Sequence, residues 1–263
     1  MNLIILALII FCIAILMTMT GRGGGNFYVL ALVLSGLSMH QSASTGQFIL
    51  FVSSISVTLI FGRGRKVEWK LVLILGSLTA LSAFFGGYFS QYFSGKTLKF
   101  VFSFFLLIAS ILMLRPVKKR DILVKKKFGI WNLKSNKNEY QINLKLALPL
   151  ILATGFGAGM VGVSGGSFLV PLMVLACGVP MDLAVGTSTT MVAGTALMGF
   201  IGHMVTGDFI PKTAIVLAAA AAIGGLIGGS FALKTKPKML KILFALTTLA
   251  VAVVMVFNAI ISK

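Results

Sequence analysis

Two glycine clusters, each followed at once by a short apolar stretch, are the residues whose types and spacing best suit chemistry. A helix start presents unpaired N–H groups and a partial positive charge, and glycine lets a ligand approach the backbone closely. In a lipid environment those donors need partners, and a bound anion would supply them. The alternative is that the glycines only allow helices to pack closely. The predicted anion contacts are Gly24, Gly25 and Asn26 in the first cluster and Ser164, Gly165, Gly166 and Ser167 in the second.

A hydroxyl-rich stretch lies downstream of each short apolar segment. The first contains Ser44 and Thr45, and the second contains Thr187 and Ser188. Hydroxyl groups can donate to an oxyanion without the cost of a buried charge, so we expect these four residues to contribute to the same site. The alternative for each is a hydrogen bond back to a carbonyl of its own helix.

Few charged or titratable residues fall within or beside the apolar segments, and such groups are candidates for function in a membrane protein. Arg22 interrupts the first glycine cluster, where it either supplies positive charge to the anion site or marks a membrane edge. His40 and His203 are candidate proton carriers, with packing as the alternative. Asp182 follows Val-Pro and is expected to cap a helix.

The composition requires a membrane protein. Of 263 residues, 58% are apolar and only 11% are charged, which excludes an ordinary soluble enzyme. The net charge of +18 comes from basic residues between apolar runs, so it indicates loop placement and not nucleic-acid binding. The sequence has no HExxH, GxSxG or clustered His and Asp, so we expect no enzyme activity, cofactor or metal ion.

Apolar segments long enough to cross a bilayer recur along the chain, together with two shorter ones that suggest broken or re-entrant helices. The predicted fold is therefore all-α and polytopic, with about eight long spans and two short helices. The long segments are Leu3–Met19, Ser44–Phe61, Leu71–Phe89, Thr97–Leu114, Leu146–Met160, Gly186–Thr206, Thr213–Leu233 and Met239–Ile261, and the short ones are Phe27–Leu37 and Phe168–Cys177.

The chain contains an internal repeat. A shift of 141 residues superimposes Gly21, Gly24 and Gly25 on Gly162, Gly165 and Gly166, with four further identities nearby. A shift of 142 superimposes Gly86 and Gly87 on Gly228 and Gly229. We therefore divide the chain into a first membrane repeat (residues 1–114), a linker (115–145) and a second membrane repeat (146–263).

The distribution of basic residues predicts the topology. The linker carries ten Lys and Arg in 31 residues and should be cytoplasmic. Counting back from it places Lys66 and its basic neighbours inside, and Lys96 and Lys99 outside. If the short segment at Phe168 crosses the membrane, the repeats are inverted and the lysines from Lys234 to Lys241 lie inside; if it returns, the repeats are parallel. The inverted arrangement gives the stronger positive-inside bias and is favoured.

The second half of the chain resembles the TauE/SafE sulfite exporter family, and the first half repeats the pattern. The resemblance is carried by Gly-Val-Ser-Gly-Gly-Ser-Phe-Leu-Val-Pro-Leu at 162–172, Val-Gly-Thr-Ser at 185–188, Gly-His at 202–203 and Gly-Asp-Phe at 207–209. It implies a permease for sulfite, organosulfonates or related anions. The first half has Leu30 where the second has Pro171, and it adds Arg22.

We therefore expect a multi-pass protein of the cell membrane that transports, and in the favoured direction exports, a small sulfur-containing anion. Its partners would be that anion and the lipid bilayer, with no nucleic acid, and a homo-oligomer is compatible with the sequence. The alternative function is a structural or assembly subunit of a membrane complex, without transport activity.

Overall fold

The computed structural model describes residues 2–98, 130–135, 138–176, 179–205 and 209–236, with isolated positions between 100 and 107 and between 239 and 257. Several predictions fall wholly or largely outside these residues: the spans Thr97–Leu114 and Met239–Ile261, much of the linker, Lys99, and Gly207 with Asp208. The described helices are α1 Leu3–Thr18, α2 Gly25–Leu34, α3 Met39–Arg63, α4 Trp69–Tyr92, α5 Leu144–Val161, α6 Gly166–Ala176, α7 Met181–Met204 and α8 Pro211–Lys234.

Four described helices, α3, α4, α7 and α8, are long and apolar enough to cross a membrane. Each has 24 or 25 residues, which corresponds to about 36 Å at 1.5 Å per residue and exceeds the ~30 Å hydrocarbon core. Large apolar side chains such as Leu73 on α4 and Ile215 on α8 are exposed, as lipid-facing residues would be. The predicted helical class and membrane location are confirmed.

The two short helices begin at equivalent glycines, α2 at Gly25 and α6 at Gly166. Each follows a tight reversal of the chain, which we name the first glycine turn (residues 21–24) and the second glycine turn (residues 162–165). With 10 and 11 residues, α2 and α6 are too short to cross a bilayer alone.

Helices α3 and α7 run antiparallel through the centre of the protein. In the first half of α3, the side-chain amide of Gln47 lies against Gly199, which is near the C-terminal end of α7. At the other end, Lys66 in the loop after α3 forms an ion pair with Asp182 in the first turn of α7. The two helices occupy corresponding positions in the two halves of the sequence.

Each half of the chain packs its last long described helix against helices of the other half. A Cβ atom at Gly86 of α4 would overlap the Phe156 carbonyl oxygen of α5, and one at Gly228 of α8 would overlap the Ile15 carbonyl oxygen of α1. The two contacts are reciprocal, because Gly228 is the repeat equivalent of Gly86, and Phe156 lies 141 residues after Ile15. Glycine at these positions permits the close approach of neighbouring backbones.

The linker contains the two β-strands found among the described residues. Strands β1 (Ile130–Ser135) and β2 (Asn138–Asn143) form an antiparallel hairpin in which Ile130 pairs with Asn143 and Ser135 with Asn138. Helix α5 starts directly after β2, at Leu144. The sequence analysis did not predict this hairpin, because the basic composition of the linker indicates only its side of the membrane.

Candidate functional site

The two glycine turns begin with the same backbone conformation, although Gly23 and Gly24 also have a positive φ in the first turn and their equivalents Ser164 and Gly165 do not in the second. Gly21 has φ +77° and its repeat equivalent Gly162 has φ +80°, a left-handed conformation that strains residues with a Cβ atom. The Gly21 N–H donates to the Thr18 carbonyl and the Gly162 N–H to the Ala158 carbonyl, so each turn closes the end of the preceding helix. Glycine at these two positions therefore lets the chain reverse before α2 and α6.

The start of each short helix contacts the glycine turn of the other half. A Cβ atom at Gly25 would lie 2.9 Å from the Ser164 backbone nitrogen. One at Gly166 would lie 2.8 Å from the Gly21 carbonyl oxygen and 2.9 Å from the Arg22 Cα. The contact is between backbones. The two helix starts are therefore closer together than the sequence analysis expected for two starts that hold an anion between them.

Asn26 and Ser167 join the two helix starts directly. The Asn26 Nδ2 donates to the Ser167 Oγ at 2.9 Å, and the Ser164 Oγ donates to the Asn26 Oδ1 at 3.4 Å. Asn26 and Ser167 differ by 141 residues, so they are repeat equivalents. This hydrogen bond therefore joins the first half of the chain to the second half at the two helix starts.

Gly165 has a different environment from Gly166. A Cβ atom at Gly165 would have ordinary van der Waals contacts, at 3.5 Å from Thr154 Cγ2 and 3.8 Å from Ala158 Cβ, both on α5. In the first half, a Cβ atom at Gly24 would lie 2.8 Å from the Tyr28 hydroxyl oxygen. These two predicted site glycines thus face their own half, whereas Gly25 and Gly166 face the other.

Arg22 lies inside the protein with 1% of its surface exposed. Its Nε donates to the Thr20 Oγ1 at 3.1 Å and its Nη2 lies 3.3 Å from the Met17 Sδ, so the guanidinium is directed toward the end of α1. Among the residues whose burial is described, it is the only buried Lys, Arg, Asp or Glu. The charge therefore lies in the interior next to the first glycine turn and not on the protein surface.

The hydroxyl-rich segment of α3 lies against the second glycine turn. A Cβ atom at Gly162 would overlap Ala43, and one at Gly46 would lie 3.6 Å from the Gly162 carbonyl oxygen. The hydroxyls of Ser44 and Thr45 are buried and have no hydrogen-bond partner among the described residues. Ala43 and Gly46 are thus the residues of this segment that contact the turn, and the buried hydroxyls of Ser44 and Thr45 lie between them in sequence.

In α7 the two predicted hydroxyls have different roles. The Ser188 Oγ is buried without a partner among the described atoms and would lie 3.2 Å from a Cβ atom at Gly166. The Thr187 Oγ1 instead accepts a hydrogen bond of 3.0 Å from the Glu68 backbone N–H. Ser188 thus lies where the halves meet, whereas Thr187 holds the loop between α3 and α4.

Two further hydroxyls near the first glycine turn were missed by the sequence analysis. The Tyr28 hydroxyl is buried beside Ser53, and the Ser54 Oγ is buried with no partner in the described part of the chain. They would lie 2.8 Å and 2.6 Å from Cβ atoms at Gly24 and Gly23, respectively. For Tyr28 the helical spacing offered a signal, because it is one turn after Gly24.

The two histidines have different described surroundings. The His203 Nε2 lies 2.7 Å from the Gly159 carbonyl oxygen, and its Nδ1 lies 3.2 Å from the Ser90 Oγ. His203 is 15 residues beyond Ser188, or about 22 Å along α7. His40 is in the first turn of α3, and its Nε2 has no partner among the described residues.

Long apolar helices around a buried polar centre define this protein as a multi-pass integral membrane protein with features of a solute carrier. The family model for the sulfite exporter TauE/SafE matches residues 6–255, and the chain belongs to that family. This confirms the resemblance found in the sequence.

Curated relatives are similar over nearly their whole length. The chain is 23% identical over 256 residues to the probable membrane transporter protein YunE of Bacillus subtilis, covering 93% of this chain and 94% of that protein. It is 22% identical to the probable membrane transporter protein MJ0441 of Methanocaldococcus jannaschii, covering 92% and 90%. No solved structure matches the chain.

Proposed function

We propose that this protein exports a small sulfur-containing anion, such as sulfite or an organosulfonate, through a site where the two glycine turns meet. The observation that carries the proposal is the convergence of both helix starts on Asn26 and Ser167, beside buried hydroxyls that have no partner among the described residues. The name of the matched family supports a sulfur oxyanion as the substrate.

The chemistry of the centre favours an anion over a cation. Ser44, Thr45 and Ser188 offer hydroxyl donors, and Arg22 adds a positive charge in a region of low dielectric. Among the residues whose burial is described, no Asp or Glu is buried, so no described carboxylate in the interior would repel an anion. Oxygen atoms arranged around a sulfur atom could accept hydrogen bonds from several of these groups together.

We also propose that the halves form an inverted repeat, each with five passes. The antiparallel course of α3 and α7 supports this arrangement, because parallel repeats would give equivalent helices the same direction. A Cβ atom at Gly64 would lie 3.0 Å from the Leu233 side chain, so the ends of α3 and α8 belong to one face. In this topology α2 and its glycine turn make one pass, and the predicted segments 97–114 and 239–261 complete the set of eight long spans.

The membrane potential supplies a physical reason for export. A cell interior is negative, so an anion that leaves gains about 2.3 kcal/mol per charge for each 100 mV. Export therefore needs no coupled ion, whereas uptake would. His40 and His203 remain proposed proton carriers for conditions in which transport is coupled to protons.

Reconstitution tests the proposal. The purified chain in proteoliposomes should release internal sulfite or an organosulfonate faster than protein-free liposomes do. The detergent-solubilised protein is also tested for thermal stabilisation by sulfite, thiosulfate, taurine, isethionate, sulfoacetate and sulfate. The compound that is transported should raise the melting temperature. If no member of the panel stabilises the protein or crosses the membrane, the assembly-subunit alternative replaces transport.

A further inference from the structure

A cavity of about 180 Å³ lies between the loop that follows α3 and the near ends of α7 and α8. Its lining includes Lys66 and Asp182, Val185 of α7, and Leu233 and Thr235 at the end of α8. At about 30 Å³ per water molecule, this volume holds about six waters, which is enough for a small oxyanion and part of its hydration shell.

The ion pair in this cavity is accessible to solutes. The Lys66 and Asp182 side chains are 37% and 35% exposed, respectively. The Asp182 carboxylate contacts the Lys66 ammonium. Asp182 is in the first turn of α7, where backbone N–H groups lack intrahelical partners and negative charge is stabilised. The carboxylate therefore occupies a position that would also suit a soluble anion.

The inner wall of the cavity adjoins the first glycine turn. Val185 lines the cavity, and its carbonyl oxygen would lie 2.7 Å from a Cβ atom at Gly21. Ser188 is nearly one helical turn further along α7. An anion that moved inward from the cavity would therefore come next to the place where the two halves meet.

The surrounding charges favour anions on this face. Arg63, Arg65 and Lys234, at the ends of α3 and α8, are exposed and would raise the local concentration of anions. The residues equivalent to Lys66 and Asp182 in the other half of the sequence do not have the same charges. In the sequence, a shift of 142 places Asp208 opposite Lys66 and His40 opposite Asp182.

We propose that this cavity is a docking site for the transported oxyanion, with Lys66 as its ligand and Asp182 as an internal competitor. The incoming anion displaces the Asp182 carboxylate, which turns to solvent, and the ammonium then holds the substrate next to the glycine turns. This inference rests on the proposed function and adds an entry step to it.

Sulfite binding to the purified full chain in detergent without added phospholipid, at low salt, tests the competition. Lys66→Gln should weaken binding roughly three- to tenfold, a modest effect because the pair is partly solvated. Asp182→Asn should tighten binding by a similar factor, because it frees the ammonium. In the double variant the gain from Asp182→Asn should disappear. Lys212→Gln removes the same charge at the opposite end of α8 and should have no effect.

The outcomes separate this inference from the proposed function. If Lys66→Gln and Asp182→Asn bind and transport sulfite as Lys212→Gln does, while wild type transports it, the docking site is refuted and the transport proposal stands. Equal losses of thermal stability in both variants, with unchanged affinity, would reduce the pair to a structural contact. A lipid phosphate is the other possible ligand of the cavity. If wild type binds sulfite only when anionic phospholipid is excluded, and binds phosphatidylglycerol vesicles in a way that depends on Lys66, the cavity holds a lipid phosphate and the inference is overturned.

Discussion

A single methyl group at Gly166 should disrupt the contact between the two halves. In Gly166→Ala the new Cβ atom would lie 2.8 Å from the Gly21 carbonyl oxygen, 2.9 Å from the Arg22 Cα and 3.2 Å from the Ser188 Oγ. The first two are backbone atoms, so the alanine can be accommodated only if one turn moves away from the other. The neighbouring Gly165→Ala is the matched control, because its nearest contacts begin at 3.5 Å.

The expected effects differ in size. Overpacking by one methyl group costs typically 1–3 kcal/mol, and relief of the Gly166 contact requires a shift of about 0.5–1 Å at the helix starts. Hydrogen bonds weaken steeply with such displacements, so we expect sulfite affinity to fall about tenfold, which corresponds to about 1.4 kcal/mol. Gly165→Ala should change stability by no more than about 0.5 kcal/mol.

Two assays test this prediction. Thermal unfolding in detergent gives the stability of each variant, and sulfite efflux from proteoliposomes gives its activity at matched protein incorporation. Gly166→Ala should lose most of its efflux while it remains folded and inserted, and Gly165→Ala should behave as wild type. Equal behaviour of the two variants in both assays would refute the assignment of the site to this contact.

The other predictions concern topology, charge and the contact between equivalent residues. A reporter fused after Lys263 should lie outside the cell, with one in the basic linker inside; cytoplasmic activity at both positions would contradict the inverted repeat. Arg22→Ala should weaken anion binding by roughly 1.5–3 kcal/mol, measured as a smaller ligand-induced thermal shift, whereas Lys212→Ala should leave the shift unchanged. Asn26→Ala and Ser167→Ala should show a coupling of about 1 kcal/mol in a double-mutant cycle of thermal stability, and additive effects would argue against their hydrogen bond.

The positions of the glycine turns could be predicted because their cause is local. The matching glycine clusters predicted a break before each short helix, and Gly21 and Gly162 both have a positive φ that glycine adopts without strain. Helices α2 and α6 then begin at Gly25 and Gly166, just ahead of the apolar segments predicted from Phe27 and Phe168. The predicted cap role of Asp182 was wrong in detail, since Pro180 is the N-cap and the carboxylate instead pairs with Lys66.

The partners of individual hydroxyls could not be predicted in the same way. Thr187 and Ser188 are adjacent in sequence, yet one holds the Glu68 N–H and the other lies beside Gly166. Successive residues of an α-helix point about 100° apart, so neighbours face different helices. Which helix each one meets depends on residues that are distant in sequence, since Glu68 is 119 positions from Thr187 and Gly166 is on a different helix from Ser188.

By itself, the sequence determined that the chain lies in a membrane, that it is duplicated and that each half contains a glycine turn. These properties follow from composition, self-similarity and backbone preference, which act along the chain. Only the tertiary structure decided that Gly166 contacts Gly21, that the Arg22 guanidinium turns toward α1, and that Lys66 pairs with Asp182 beside a cavity. The first and the last of these contacts join one half to the other, and all three are set by the direction and rotation of packed helices, which no local pattern of residues specifies.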